Sequence, residues 1–302
     1  MNNPLDMGSF KAGFIAVMGK PNVGKSTLIN ALLGQKVAAV SPRPQTTRKR
    51  QMGILTLDNA QLVFIDTPGV HIAKHKLGKN MNTEAADTLQ ESDVVLFIAD
   101  ASQSPDDEDR LINDLLKEKK TRLPVILALN KIDLLETSKL ANRLEEYSIL
   151  LGGPLAVTIS ALSNFNLDKL LDLITDNLPE GYPFFPEGQV TDLFERELAA
   201  DLIREAALNL LRDEVPHGIA IRIDQFTERE EHGAYIEATL FVERESHKGI
   251  VIGKGGRMLK QIGSAARYEI ENMSGRKVYL RLRVKVRKNW RNDEKVLRWF
   301  GY

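Results

Sequence analysis

The chain has 302 residues, of which 43% are hydrophobic and 27% charged, and its formal net charge is zero. This length fits two domains of ordinary size, each with its own buried core. The sequence has no cysteine, which excludes disulfides and thiolate metal sites and fits a reducing compartment. No secretory signal opens the chain, and the longest apolar run, Val94 to Ala99, is too short to span a bilayer, so we expect a cytoplasmic protein.

The neutral total hides a charge gradient along the chain. Residues 1–180 carry 20 basic and 22 acidic residues, and residues 181–245 carry 6 and 15. Residues 246–302 carry 15 basic and 4 acidic residues. A basic segment of this density usually faces a polyanion, although an uneven solvated surface is the simpler alternative. We therefore expect the C-terminal part of the chain to bind an anionic partner.

In the first 180 residues, apolar strands alternate with amphipathic helices. Because the strands are apolar on both faces, this alternation predicts an α/β domain with a mostly parallel sheet and helices on both faces. The predicted strands are Phe14–Met18, Leu62–Ile65, Asp93–Ala99, Val125–Leu129 and Ala156–Ile159. The predicted helices are Lys25–Leu33, Asp107–Glu118 and Leu167–Asn177.

A phosphate-binding loop lies between the first predicted strand and the first predicted helix. The stretch GKPNVGKS matches the pattern G-x-x-x-x-G-K-[ST] in the strand–loop–helix context that this motif requires. Backbone N–H groups of such a loop and the helix N-terminus bind phosphate oxygens. Lys25 would reach the β- and γ-phosphates, and the hydroxyl of Ser26 would ligate Mg²⁺. The nucleotide-binding residues predicted here are Gly19, Lys20, Pro21, Asn22, Val23, Gly24, Lys25, Ser26 and Thr27.

Three further motifs, DTPG, NKID and SAL, each follow a predicted strand. Asp66 of DTPG is placed to hold Mg²⁺, and the N–H of Gly69 can meet a γ-phosphate. Asp133 of NKID can accept hydrogen bonds from the ring N–H and amine of guanine. Adenine would leave that carboxylate unpaired at a cost of about 1–3 kcal/mol.

Ligands bind at the carboxyl ends of strands in open α/β sheets, so these motifs should share one site. They add Asp66, Thr67, Pro68, Gly69, Asn130, Lys131, Asp133, Ser160, Ala161 and Leu162 to the predicted nucleotide-binding residues.

With all these motifs in order, residues 1–180 resemble a Ras-like GTPase of the translation-factor class. The resemblance implies GTP or GDP and Mg²⁺ as ligands. A metabolic NTP-dependent kinase is disfavoured by the NKID motif and by the lack of a signature for a separate acceptor pocket. The stretch Ser41–Gln51 (SPRPQTTRKRQ) corresponds to the first switch, where either Thr46 or Thr47 would join the Mg²⁺ ligands when the γ-phosphate is present. Ras-type enzymes place a glutamine directly after the DxxG glycine, whereas this chain has Val70. We therefore expect slow intrinsic hydrolysis, and no residue is assigned to orient the attacking water.

The chain changes character after a segment rich in proline and glycine, Pro179 to Gly188, which we interpret as a linker. We expect Thr191 to cap a helix with apolar positions that include Leu193 and Phe194. Strands near residues 219–223 and 236–242, a helix near 257–273 and a strand over 276–288 follow. In the last strand, apolar residues alternate with Tyr279 and basic residues. This order predicts an α+β domain with a three-stranded sheet.

The stretch VIGKGG, residues 251–256, places a second glycine cluster before a predicted helix. It lacks the Lys-Ser/Thr ending of a nucleotide site, and a helix-capping turn is the plain alternative. A Gly-x-x-Gly loop between two helices beside a sheet resembles type II KH domains, in which the loop clamps the backbone of about four unpaired nucleotides.

From that resemblance, the predicted floor of the groove is Ile250, Val251, Ile252 and Ile262. The predicted RNA contacts are Ile252, Gly253, Lys254, Gly255, Gly256, Arg257, Lys260, Arg281, Arg283 and Lys285. Trp290, Trp299 and Phe300 are candidate stacking platforms, with packing of a C-terminal helix as the alternative.

The complete order of motifs, including QTTR and DTPGV, resembles the Era family of bacterial GTPases. The resemblance implies a GTPase domain at 1–180, a linker at 181–190 and a type II KH domain at 191–302. It also implies a GTP-controlled monomer that binds the 3′-terminal region of 16S rRNA and assists 30S subunit assembly, with peripheral membrane association. No amphipathic membrane helix is visible in the sequence. The alternative is a GTPase whose basic C-terminal domain docks a protein or an anionic membrane.

Overall fold

The computed structural model describes residues 10–43, 46–118, 123–193, 195–229 and 233–302. Gln45 and Phe194, which the sequence analysis named, lie outside these ranges. The chain forms two compact units. The first comprises Met1–Gln35, Lys49–Ile72 and Met81–Asp192, and the second comprises Lys36–Arg48, Ala73–Asn80 and Leu193–Tyr302.

The first unit is built on a six-stranded sheet with strand order β2-β3-β1-β4-β5-β6. Strand β2 is antiparallel to β3, and the other neighbours are parallel. Every residue of β3 and β4 is buried, as expected for strands covered on both faces. The strands are β1 (Lys11–Met18), β2 (Gln51–Thr56), β3 (Ala60–Asp66), β4 (Val94–Asp100), β5 (Val125–Asn130) and β6 (Leu155–Thr158).

The five predicted strands and the mostly parallel sheet are confirmed, whereas β2 was not predicted. Strand β2 lies at the edge of the sheet, and half of its residues are only partly buried. Its short sequence QMGILT therefore has neither a continuous apolar run nor a clean alternation.

The helices of the first half of the chain are α1 (Lys25–Leu33), α2 (Lys76–Thr88), α3 (Asp107–Glu118), α4 (Thr137–Leu151) and α5 (Leu167–Asn177). The three predicted helices are confirmed with the same bounds. In α3, three acidic residues occupy the first turn and Lys117 the last, which favours the helix dipole at both ends. Helices α2 and α4 were missed because polar residues dominate both.

The predicted linker is bonded to the edge of the first unit's sheet. The amide oxygen of the buried Gln61 accepts hydrogen bonds from the backbone N–H groups of Phe184 (2.7 Å) and Phe185 (3.0 Å). The N–H of Ile54 in β2 donates to the carbonyl of Val190 over 2.9 Å. This pairing satisfies backbone groups that an edge strand would otherwise expose.

Thr191 does not cap a helix, so that prediction is wrong. It forms an isolated β-bridge with Gly53, and the next helix, α6 (Glu195–Leu210), begins four residues later. The geometry of the sheet edge therefore takes precedence over the intrinsic capping preference of threonine.

The second unit has a three-stranded sheet in which β7 is antiparallel to β8, and β8 is parallel to β9. Its elements are α6 (Glu195–Leu210), β7 (Ala220–Arg229), β8 (Gly233–Val242), α7 (Glu245–Ile252), α8 (Arg257–Ser274), β9 (Val278–Val286) and α9 (Glu294–Phe300). Helices α6 and α8 share one core with the sheet, which includes Ile203, Ile236 and Ile270. The predicted element order and the alternation of β9 are confirmed.

No helix among the described residues combines the length and the apolar character that crossing a bilayer requires.

Candidate nucleotide site and candidate nucleic-acid interface

Two glycines of the phosphate-binding loop lie where a side chain would not fit. A Cβ on Gly24 would lie 2.4 Å from Nδ2 of Asn130, and Gly24 has φ +102° directly before α1. A Cβ on Gly19 would lie 2.6 Å from the carbonyl oxygen of Ile98. Glycine at both positions therefore lets the loop lie against β4 and the NKID motif at the carboxyl ends of the strands.

The side chain of Lys25 is directed into this loop. Its ammonium donates to the carbonyl oxygens of Gly19 (3.0 Å) and Lys20 (3.1 Å). Burial lowers the pKa of Lys25 to about 8, although the nearby Asp66 opposes the shift. The loop thus holds a buried cation whose charge a phosphate would stabilise.

The two protein ligands predicted for Mg²⁺ lie next to each other. The hydroxyl of Ser26 donates to Oδ2 of Asp66 over 2.7 Å. These are hard oxygen donors, and Mg²⁺ sites commonly combine one or two such ligands with phosphate oxygens and water. No group of three or more His, Cys, Asp or Glu side chains that could hold a metal occurs in the described ranges. The donor set therefore fits Mg²⁺ held together with a nucleotide.

The other threonines predicted for the nucleotide site, Thr27, Thr46 and Thr47, lie between Ser26 and Asp66 in the sequence. Thr46 and Thr47 belong to the segment Lys36–Arg48 of the second unit, where the hydroxyl of Thr46 donates to the carbonyl of Arg43 over 2.8 Å. The choice between the two threonines for the γ-phosphate stays a prediction. Thr27 is partly buried on α1.

The DTPG motif is packed directly against the phosphate-binding loop. A Cβ on Gly69 would lie 2.7 Å from the backbone nitrogen of Pro21. The hydroxyl of Thr67 donates to the carbonyl of Val17 over 2.7 Å, and Pro68 is buried. Gly69 therefore has to be glycine, and its backbone lies at the edge of the phosphate site.

Val70 is fully buried in the core of the first unit. Its side chain packs there and cannot hydrogen-bond a water molecule. The next residue, His71, is also buried, with Nδ1 2.9 Å from the carbonyl oxygen of Gly69. His71 was not among the predicted site residues.

The NKID motif fastens the phosphate-binding loop. Asn130 donates to the carbonyl of Val23 and accepts from the N–H of Ala161, both over 2.9 Å. The ammonium of Lys131 donates to the carbonyl of Asn22 (2.6 Å) and to Asp100 (2.7 Å). These bonds bring together three predicted motifs at one end of the sheet.

The predicted base-binding residues differ in exposure. Ser160 and Ala161 are buried, whereas Asp133 and Leu162 are exposed. The carboxylate of Asp133 is therefore free of the desolvation penalty until a base covers it. Recognition of guanine by this group stays a prediction.

A buried ionic network on Lys20 was not predicted. The ammonium of Lys20 lies 2.6 Å from Oδ2 of Asp106 and 2.9 Å from Oδ2 of Asp109, and the hydroxyl of Tyr147 lies 3.3 Å from the same Asp109 oxygen. Burial lowers the pKa of Lys20, but the hydrogen bonds to the two carboxylates more than offset it and raise that pKa overall. Only the backbone of Lys20 is left to face a phosphate.

The second glycine loop connects α7 and α8, as predicted. Gly253, Gly255 and Gly256 have φ of +71°, +61° and +79°, conformations that L side chains rarely adopt. Lys254 and Gly255 are exposed, and a Cβ on Gly253 would lie 2.8 Å from Cβ of Met258. The loop therefore presents backbone at the surface with few side chains in the way.

A groove of 430 Å³ runs from this loop between α8 and β9. Gly263 of α8 lies opposite Leu282 of β9, where an added Cβ would lie 3.4 Å from the leucine side chain, at ordinary contact distance. The predicted contacts Gly256, Lys260 and Arg281 line it, and Arg257 is exposed at the start of α8. The other lining residues are Leu259, Gly263, Ser264, Arg267, Tyr279, Leu280 and Leu282.

The residues predicted to floor the groove lie in different settings around the loop, and their part in RNA binding stays a prediction. Val251 and Ile262 are fully buried in the core of the unit, Ile250 is exposed and Ile252 is partly buried, and none of them lines the groove. Leu259, on another face of α8, contributes instead, together with the inward side chains of β9. The helix near residues 257–273 is confirmed as α8.

For Trp290 and Phe300, the structure shows the packing alternative and not exposed stacking platforms. Trp290 is fully buried and Phe300 is nearly so, because they pack against each other with ring centroids 5.3 Å apart. Trp299 is half exposed. Tyr279 lines the groove, is 65% exposed and stacks on Tyr235 at 5.5 Å with 9° between the rings.

Of the basic residues predicted on β9, Arg281 and Arg283 both pair with Glu237 of β8. Lys285 is exposed two residues further along. Arg281 also lines the groove, and the three exposed side chains form one basic row along the edge strand β9.

Comparisons with known proteins match both sites. Residues 14–131 match the family model described as 50S ribosome-binding GTPase, and residues 214–291 match that of the KH domain. GTPase Era of Ruminiclostridium cellulolyticum is 47% identical over 97% of this chain and 98% of that protein. GTPase Era of Heliobacterium modesticaldum is 46% identical over 98% of both.

Two solved structures have a TM-score of 0.91 and 42% identity, and each covers 97% of this chain and 99% of the other. One is Era in complex with MgGDPNP and nucleotides 1506–1542 of 16S ribosomal RNA. The other is a variant of Aquifex aeolicus Era bound to GDP and AlF4⁻. Since relatives of this identity span the whole chain, the protein belongs to the GTPase Era family.

Proposed function

We propose that this protein is a GTP-hydrolysing switch that binds the 3′-terminal region of 16S rRNA and assists assembly of the 30S subunit. One observation carries the proposal: a complete P-loop site with a Ser26–Asp66 pair and an exposed Gly-x-x-Gly groove occur in one chain. The solved Era complex contains MgGDPNP and a 16S rRNA fragment. Its similarity supports both ligands for this chain.

In the nucleotide site, backbone N–H groups of residues 19–26 bind the phosphates, and Lys25 adds its charge at the β- and γ-phosphates. Ser26 and Asp66 hold Mg²⁺, which neutralises charge on the phosphate oxygens when bound. Asn130 and Asp133 bind the guanine, backed by Ser160 and Ala161. Because Val70 is buried and apolar, this chain supplies no side chain there to orient water, and slow intrinsic hydrolysis is the expected result.

In the second unit, the glycine loop binds the sugar–phosphate backbone of an unpaired RNA strand. The apolar lining of the groove receives bases, with Tyr279 available for stacking. Lys254, Arg257 and Lys260 neutralise phosphates near the loop, and the basic row of β9 extends the positive surface. The affinity should therefore fall steeply as salt rises.

The function in the cell follows from these two activities. The protein acts as a cytoplasmic monomer on the 30S subunit, and its RNA affinity depends on the bound nucleotide. Equal RNA affinity with GTP, with GDP and without nucleotide would contradict this coupling, because coupling requires a difference in affinity. The protein also associates peripherally with the membrane in this proposal, so it should bind vesicles that contain anionic lipid.

The experiment compares RNA binding of the wild type with that of a variant carrying both Gly255→Asp and Gly256→Asp. Two carboxylates at the loop should repel the phosphates and abolish binding of a single-stranded oligomer with the 3′-terminal 16S sequence. The matched control carries Gly152→Asp and Gly153→Asp, since these glycines are also adjacent, exposed and at positive φ. The control variant should bind RNA normally, and both variants should bind GTP normally.

The competing function is docking of a protein or an anionic membrane on the basic face. This function predicts that the Gly255/Gly256 variant still binds the protein or membrane, because the exposed basic row of β9 is unchanged. Binding to vesicles that contain anionic lipid, together with unchanged RNA affinity of this variant, would contradict the RNA proposal.

A further inference from the structure

The N-terminal end of α3, together with Asp106 directly before it, contacts two segments that flank the expected position of the γ-phosphate. From the P-loop, the ammonium of Lys20 bonds Asp106 (2.6 Å) and Asp109 (2.9 Å). From the segment after DTPG, the N–H of Ile72 donates to Oε1 of Glu108 over a longer 3.4 Å. One helical turn is therefore bonded to both segments.

The Lys20 network is buried and geometrically fixed. Lys20 is 5% exposed and Asp109 is fully buried. Oδ2 of Asp109 accepts from the ammonium of Lys20, from the N–H of Asp106 (3.1 Å) and from the hydroxyl of Tyr147 (3.3 Å). Burying such charges costs more than a simple ion pair returns, so the network adds little to stability. The effect of the network is to hold the side chain of Lys20 in one position.

The position of Lys20 determines the position of the next residue, Pro21. The backbone of Pro21 contacts Gly69 so closely that a Cβ on Gly69 would lie 2.7 Å from its nitrogen. The N–H of Gly69 is predicted to meet the γ-phosphate, which GDP lacks. A shift of Lys20 would therefore change the γ-phosphate position more than the β-phosphate position.

We propose that Lys20, Asp106 and Asp109 are positioning residues that set the P-loop against Gly69 and thereby favour GTP over GDP. Their side chains do not touch the nucleotide, and they act through the backbone of residues 20 and 21. The proposal rests on the GTP function proposed above and adds residues that determine its selectivity and its rate.

The test is Lys20→Met, which keeps the length of the side chain and removes its charge, and Asp109→Asn. Dissociation constants for GDP and GDPNP are measured by calorimetry, and kcat and KM for GTP by phosphate release. We expect GDPNP affinity to fall on the order of tenfold, GDP affinity to fall less than about threefold, and kcat to fall. An equal fall for both nucleotides with unchanged kcat would overturn the proposal.

Asp107→Asn is the matched control. Asp107 lies in the first turn of α3, but it is exposed and pairs with Arg110 of the same helix over 2.9 Å. Its loss should leave the GDPNP-to-GDP ratio and kcat unchanged. If Asp107→Asn changed the GDPNP-to-GDP affinity ratio and kcat as much as the test variants do, the cause would be the charge of α3 in general. That result would contradict the proposal.

If the two test variants fail to fold, the Tyr147→Phe variant tests the proposal in their place. This substitution removes the hydroxyl that donates to Oδ2 of Asp109. It should lower the GDPNP-to-GDP affinity ratio by a smaller factor than the two test variants do. An unchanged ratio would overturn the proposal. GTP binding by the wild-type protein distinguishes failure of the proposed GTP function from failure of the positioning role. Failure of the wild type to bind GTP contradicts the function, whereas normal wild-type binding with unaltered variants contradicts only the positioning role.

Discussion

The hydroxyl of Ser26 donates to Oδ2 of Asp66 over 2.7 Å, so the two expected Mg²⁺ ligands are already side by side. Ser26 lies in the first turn of α1 and Asp66 ends β3, and both elements pack in the core of the first unit. Binding of Mg²⁺ therefore requires little rearrangement of the protein, only exchange of this hydrogen bond for metal contacts.

Asp66→Asn should weaken the dependence of GTP affinity on Mg²⁺. The neutral amide keeps the shape of the side chain but removes the charge that holds the cation. We expect the gain in affinity on adding Mg²⁺, measured by calorimetry with and without EDTA, to fall at least about tenfold. A gain equal to that of the wild type would show that Asp66 does not act on the metal.

Nucleotide binding should take up protons at pH 8. The pKa of Lys25 is about 8 in the free protein, below its ordinary value, because burial disfavours the ammonium. Phosphate stabilises the ammonium, so binding takes up about half a proton at pH 8 and less at pH 7. Calorimetry in two buffers of different ionisation enthalpy measures this number. An uptake that does not increase from pH 7 to pH 8 would contradict the prediction.

The lowered pKa of Lys25 also determines how the stability of the free protein changes with pH. Between about pH 8 and the ordinary lysine pKa, the unfolded chain binds the Lys25 proton and the folded protein does not. Stability of the free protein should therefore gain from this group as the pH rises through that window. Lys25→Met should remove this contribution in denaturation curves measured from pH 7 to pH 10.

The fold was largely predictable because its signals are local. The apolar runs of β1, β3 and β4 and the periodic pattern of α3 each fall within about a dozen residues. The P-loop is likewise one continuous stretch, so its residues were predicted together. The assignment of residues to the two faces of the last strand followed from its strict alternation.

The parts that were missed depend on contacts between distant residues. Lys20 meets Asp106 and Asp109 across 86 and 89 residues, and no local pattern indicates such a pair. Ile262 was correctly placed on a helix, but only the packing of α8 on the sheet shows that it faces the core. Tyr279 was assigned to the outward face of the last strand, and its place in the groove depends on β9 being the edge strand.

Asp133→Asn should convert the base preference from guanine to xanthine. The amide would lose the charged acceptor for the guanine N–H groups, at a cost of about 1.5–3 kcal/mol in GTP affinity. It would gain a donor for the carbonyl that replaces the guanine amine. Competition of GTP and xanthosine triphosphate for one fluorescent nucleotide measures the change. Asp168→Asn, an exposed acid on α5, is the control and should alter neither affinity.

Arg48→Met should destabilise the second unit. The buried guanidinium of Arg48 donates to the carbonyls of Ile219 (2.6 Å) and His217 (3.3 Å) and lies over the ring of Trp290. Loss of both bonds should lower the free energy of unfolding by about 2–3 kcal/mol. Both tryptophans of the chain lie in this unit, so denaturation followed by tryptophan fluorescence measures it.

The control for this variant is Arg50→Met. Arg50 is exposed and pairs with Glu91 at the surface, so its loss should cost less than about 0.5 kcal/mol. Equal losses for Arg48→Met and Arg50→Met would contradict the structural role of the buried guanidinium.

Tyr279→Ala should weaken binding of single-stranded RNA without changing GTP affinity. The ring lines the groove and is held by its stack on Tyr235, so a base can stack on its free face. Such stacking is worth about 1–3 kcal/mol per base. Tyr268→Ala is the matched control, since that ring is 63% exposed on α8 but does not line the groove.

Salt dependence separates stacking from charge in this groove. Tyr279→Ala should lower the affinity at every salt concentration and leave the slope of log K against log salt unchanged, because no phosphate contact is lost. Arg281→Gln should instead reduce the slope by about one. Fluorescence anisotropy with a labelled 16S 3′-end oligomer over a salt series measures both slopes. A reduced slope for Tyr279→Ala would mean that the ring positions cations and does not bind a base, since only lost phosphate contacts change the number of released counterions.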